Sequence, residues 1–190
     1  MTEKESLEII VSMLDRTKSN LREQSGFYMI WGWSIFLASS IEYVALIFFE
    51  FEYHFMVWPI AILVAVTLTI FKSSRMASSK RTMTYADRSL AYLWSAWSAL
   101  LFIILLFTGM GGLSWGSSYA FIIALYGMGT TVSGGILRFR PLVLGGIFSF
   151  VLSFLALILK LTSNPGTMLL FLALSILGSY LVPAYLLKRA

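Results

Sequence analysis

The sequence predicts an all-α fold: a polytopic transmembrane bundle of six helices behind an N-terminal amphipathic cytoplasmic helix, with both termini cytoplasmic. Three observations carry this. Of 190 residues, 58% are hydrophobic and only 12% charged, against about 25% charged in a soluble domain, and the mean hydropathy is +0.83. The apolar residues fall into six long runs, each near the roughly 20 residues that a helix needs to cross a hydrocarbon core of about 30 Å. Every Lys and Arg except Lys160 lies before the first run or after the second, fourth or sixth. Under the positive-inside rule those segments, and both chain ends, face the cytoplasm. The composition excludes an ordinary globular enzyme and leaves no room in these residues for a second soluble domain.

Residues 1–25 are read as the cytoplasmic helix. Thr2 and Glu5 fit a capping box, and Leu7, Ile10, Val11, Leu14 and Leu21 recur at helical spacing. Its cations, Lys4, Arg16, Lys18 and Arg22, are matched by Glu3, Glu5, Glu8, Asp15 and Glu23. A helix that lies on anionic lipid is basic on its polar face, so this stripe is expected to pack on protein instead. Before Phe27 there is no apolar core with a small-residue cleavage site, so the first span is read as an uncleaved anchor.

Residues 26–190 are read as the transmembrane domain, with spans at about 27–49, 55–72, 90–108, 117–137, 141–161 and 167–187. Short links make sequential spans pack antiparallel. The longest link, 73–89, is rich in Ser, Lys and Arg; topology accounts for its charge, and docking of anionic headgroups is the alternative. Small residues recur every fourth position: Ala91, Ser95 and Ala99 in span three, Gly127, Thr131 and Gly135 in span four, Gly145, Ser149 and Ser153 in span five. Such stripes let helix backbones approach closely, within the bundle or in a dimer. Pro183 cannot bond back to Ser179 and should kink the last span. Trp31, Trp33, Trp58 and Trp115 lie near span ends, as an aromatic belt requires.

Glu42 is the acid well inside a span. A charge at that depth costs about 2.5–3.5 kcal/mol on insertion scales, which makes it a site candidate by default. Its helical neighbours Ala38, Ser39, Ala45 and Leu46 include small residues that turn it toward another helix rather than lipid. Two readings stand: a proton- or cation-binding carboxylate, with Lys160 as candidate ion-pair partner, or a structural acid that bonds across helices. Thr130, Thr131 and Ser133 in span four would extend a ligand path. Glu50, Glu52 and His54 alternate with Phe51 and Tyr53, so all three share one face of an extended link. They are weak metal candidates, a minimal ligand set, and acids of an interfacial loop are the plainer reading. No catalytic residues are expected: the chain has no cysteine, no phosphate-cradling glycine loop and no nucleophile elbow. No cofactor is implied, and because the cations sit beside spans, no nucleic acid.

The polar helix followed by Gly26-Phe27-Tyr28-Met29-Ile30-Trp31-Gly32-Trp33 resembles an uncharacterised family of short multi-pass bacterial inner-membrane proteins. The resemblance implies the inner (plasma) membrane and no activity. The function expected from the residues is that of a non-catalytic integral protein of the lipid bilayer. It would act through protein–protein contacts, as a homo-oligomer or as an accessory or regulatory subunit of another membrane protein. The alternative is a small transporter or channel that uses Glu42.

Overall fold

The computed structural model describes residues 3–49, 53–77 and 84–189, with side chains from residue 23 onward. Every regular element among them is helical: α1 (Glu3–Val44), α2 (Val57–Ala77), α3 (Tyr85–Gly109), α4 (Trp115–Ile136), α5 (Arg140–Ile158), α6 (Pro165–Ile176) and α7 (Val182–Arg189). A π segment, Ala45–Phe49, continues α1, and a second, Leu177–Leu181, joins α6 to α7. Six stretches are long and apolar enough to cross a membrane: Glu23–Phe49, His54–Arg75, Tyr85–Gly109, Trp115–Ile136, Arg140–Ile158 and Pro165–Arg189. They match the six expected spans to within a few residues.

The N-terminal helix and the first span are not separate elements, as the sequence suggested, but one helix of 42 residues. Nothing between residues 3 and 44 can end a helix. There is no proline, and a lone glycine such as Gly26 weakens a helix by about 1 kcal/mol without breaking it. The expected cap residue Thr2 lies outside the described residues. A clear cap stands elsewhere: the Thr84 hydroxyl accepts from the Asp87 backbone N–H (3.2 Å) and the Asp87 carboxylate accepts from the Thr84 N–H (3.0 Å). This capping box starts α3. Ser114 and Asn164 cap α4 and α6 by simple N-caps, their side-chain oxygens accepting from Ser117 N–H and from Gly166 and Thr167 N–H.

Helix α4 is the centre: 61% of its most apolar stretch is buried, against 6% for the second span and 11% for the third. It crosses α5 through glycines. A Cβ on Gly127 would lie 2.9 Å from the Gly146 carbonyl oxygen, and one on Gly146 would collide with α4 in turn. Of the two settings the sequence left open for it, bundle or dimer, the Gly145–Ser149–Ser153 stripe takes the first. Gly145 abuts the backbone of Gly178 and Ser179, Ser149 shares a 2.7 Å hydrogen bond with Ser175, and the Ser153 hydroxyl donates to the Ala120 carbonyl at 2.8 Å. Gly135 at the far end of the α4 stripe meets nothing. Just before Pro183 the last span departs from regular α-helix in the π segment Leu177–Leu181, next to the position where proline removes a backbone donor. Helices α1 and α6 complete the core, while α2 leans chiefly on α1 and α3 chiefly on α4.

Candidate functional site

Glu42 sits in the last turns of α1, just before the π segment, and is only 3% exposed. Both oxygens of its carboxylate have partners. The Trp58 indole N–H donates to Oε2 at 2.5 Å, and the Tyr119 hydroxyl donates to the same oxygen at 3.1 Å. His54 Nδ1 lies 3.1 Å from Oε1 and donates when that nitrogen carries the proton. The Trp58 and Tyr119 rings pack with centroids 6.4 Å apart. Four elements therefore converge on one side chain: α1, the 3-10 turn His54–Met56, the first turn of α2 and the first turns of α4. His54 is the member that reaches outward, its side chain 29% exposed against 4% for Glu42.

A carboxylate offers about four lone-pair positions, and protein donors occupy three. Chemically this is a clamp: it answers the desolvation of a buried acid with donors from each neighbouring element.

Lys160, the expected partner, lies exposed after α5 in a left-handed backbone conformation, φ +52°. The contact to Glu42 expected of Lys160 is made instead by His54. Glu50 and Glu52 lie outside the described residues, and no group of three or more metal-binding side chains occurs among those described. The span-four candidates do not join Glu42. Between Tyr119 and Thr130 lies a rise of about 17 Å along the helix at 1.5 Å per residue. Thr130 is buried and donates back to the Tyr126 and Gly127 carbonyls at 2.9 and 3.2 Å. Ser133 is fully buried with its hydroxyl beside that of Tyr28, and the Thr131 hydroxyl has no hydrogen-bond partner among the described residues.

Tyr28 belongs to a second cluster, aromatic, at the other end of α4. Its ring meets Trp94 (6.2 Å) and Tyr180 (5.6 Å); Tyr180 meets Tyr126 (5.4 Å), and Tyr126 meets Trp97 (4.9 Å). The Trp97 indole donates to the Leu125 carbonyl at 3.0 Å. Mostly edge-to-face packing of this kind adds about 0.5–1.5 kcal/mol per pair beyond the area it buries.

Sequence reasoning found Glu42 but not its partners. Trp58 reads as a belt residue, and Tyr119 sits 77 positions away, beyond reach of any local pattern. The available signal was the hairpin: a short link folds α2 back on α1, so residues a similar distance on either side of it, Glu42 and Trp58, must meet. Compared with known proteins, the chain matches no family model, no curated protein and no solved structure.

Proposed function

We propose that this is a non-catalytic integral membrane protein that acts through protein contacts, assembling with a second copy of itself or serving as an accessory subunit. The observation that carries the reading is the outer face of α3. Ala91, Ser95 and Ala99 are all exposed, while Trp97, on the opposite side of the helix, is buried. The small-residue stripes of α4 and α5 are largely used inside the bundle; that of α3 is not, and a stripe of this spacing admits the backbone of another helix. The clamp at Glu42 supports the same reading, because its acceptor positions are largely filled by the protein itself. Helix α1 begins at Glu3, well before the first span, which leaves helix outside the apolar stretch for a second contact with a partner.

Single cysteines test this cleanly, since the chain has none of its own. Ser95→Cys and Ala99→Cys, oxidised in native membranes, are expected to give a disulfide-linked dimer or an adduct with one other polypeptide. Leu100→Cys, which points well away from the stripe, is the control and should give neither. A monomer at all three positions, with no companion in native mass spectrometry of the extracted protein, overturns the proposal. The transporter reading is tested separately: it requires that Glu42→Gln abolish ion- or proton-linked flux in reconstituted vesicles.

A further inference from the structure

Helices α1 and α2 are joined at both ends and part between them. At one end His54 and Trp58 hold Glu42. At the other, Lys72 crosses to α1, where its Nζ donates to the Glu23 carbonyl at 2.7 Å and stands 4.4 Å from the Phe27 ring centroid. It occupies the space that a side chain at Gly26 would fill. Between these ties runs a groove of about 600 Å³, lined by Met29, Trp33 and Leu37 of α1 and Ile60, Val64 and Leu68 of α2, among others, all apolar but for Ser34. Lys72 lies one helical turn beyond Leu68, and Gly26 one turn before Met29, so the same two faces carry the groove directly to the ammonium group. From Met29 to Ile41 the wall is about 18 Å long at 1.5 Å per residue. That is a little more than half of a hydrocarbon core of about 30 Å, the reach of the tails of one leaflet.

We propose that this groove is a binding site for one anionic glycerophospholipid, an acyl chain lying between α1 and α2 with the phosphate at Lys72. Charge complementarity selects this occupant. An ammonium group has three donors; one is bonded to the Glu23 carbonyl, and the other two have no hydrogen-bond partner among the described residues. Arg75, exposed three residues further on, stacks 4.7 Å over the Phe71 ring and adds a second cation at the same level. Glu23 opposes them on α1 and Asp87 of α3 reaches Gln24 at 3.2 Å, so the complement to phosphate oxygens is the pair of cations that α2 itself presents, Lys72 and Arg75. Basic pockets between membrane helices at the cytoplasmic side recognise anionic headgroups by this chemistry.

The test is native mass spectrometry of the full chain in mild detergent, titrated with dioleoyl phosphatidylglycerol and, separately, dioleoyl phosphatidylcholine. The expected result is one tightly held phosphatidylglycerol, preferred over phosphatidylcholine by roughly five-fold per contributing cation, the equivalent of about 1 kcal/mol each. Lys72→Gln should lower phosphatidylglycerol affinity by roughly five-fold, Lys72→Gln together with Arg75→Gln should bring it near that of phosphatidylcholine, and Lys72→Arg should restore the single loss. Ala61→Trp, which fills the groove from its wall, should lower binding of both lipids while leaving the protein's elution unchanged. Equal binding of the two lipids by the natural chain overturns the proposal. So does phosphatidylglycerol binding that survives Ala61→Trp, or a dimer that Ala61→Trp dissociates, which would make the occupant a second copy. Should Lys72→Gln not fold, Arg75→Gln and Ala61→Trp decide the matter by themselves.

Discussion

At the scale of single residues, the clamp makes an ordered prediction. Trp58→Phe keeps the apolar bulk and removes one donor, and Tyr119→Phe does the same, so each should destabilise the protein by about 1–3 kcal/mol. Glu42→Gln should cost more than either, because the amide turns an NH2 group toward donors that need an acceptor. Since Trp58 and Tyr119 share Oε2, their double variant should fall short of additive, as residues in one network do. Thermal inactivation in detergent, followed by size exclusion, reads all four. Lys160 supplies a prediction of the opposite sign. It occupies the left-handed position after α5, where glycine is the usual residue and a side chain costs about 1 kcal/mol. Lys160→Gly should therefore raise stability by about that amount in the same assay. Glu42 was legible as a site because a lone buried acid stands out in an apolar run. Its status as a satisfied acid was not, because Tyr119 reaches it only through the tertiary packing of α4 on α1.

At the scale of elements, the helices were legible because the bilayer imposes their length and the apolar runs record it. Which small-residue stripe faces inward was not legible, since the spacing is identical in the three spans and only the packing distinguishes them. Two glycines make the distinction measurable. At Gly146 a Cβ would meet the Gly127 carbonyl at 2.6 Å; Gly146→Ala should overpack the α4–α5 crossing and destabilise by about 1–3 kcal/mol. At Gly135 a Cβ meets nothing, so Gly135→Ala should be neutral or stabilise by up to about 1 kcal/mol through helix propensity alone. Equal effects at the two positions would contradict the crossing described here. Pro183 illustrates a similar limit. The sequence announces the lost backbone bond, but whether a helix answers by bending or by widening depends on what packs beside it. Here Gly145 brings α5 against Gly178 and Ser179, within the widened turn itself.

For the whole molecule, the distribution of cations is a statement about orientation that the helices alone do not make, since six spans can stand either way up. Arg75, Arg88, Arg138, Arg140, Lys188 and Arg189 flank one set of span ends, and Lys160 alone flanks the other. Loop cations within about 15–20 residues of a span set orientation because they resist translocation, so the cation-rich ends should be cytoplasmic. The absence of cysteine again allows a direct reading. Ser163 is exposed between α5 and α6, and Ser74 is exposed near the cation-rich end of α2. A membrane-impermeant maleimide applied to intact cells should label Ser163→Cys at once and Ser74→Cys only after the membrane is opened. Labelling in the reverse order would invert the molecule. It would place His54, the exposed member of the clamp, toward the cytoplasm, and the Lys72 end of the α1–α2 groove in the outer leaflet. Because Lys160→Gly removes the one cation that opposes the bias, it should leave the labelling order intact while raising stability. If that order changed, Lys160 would have to act in insertion, which a lone cation against so many does not predict.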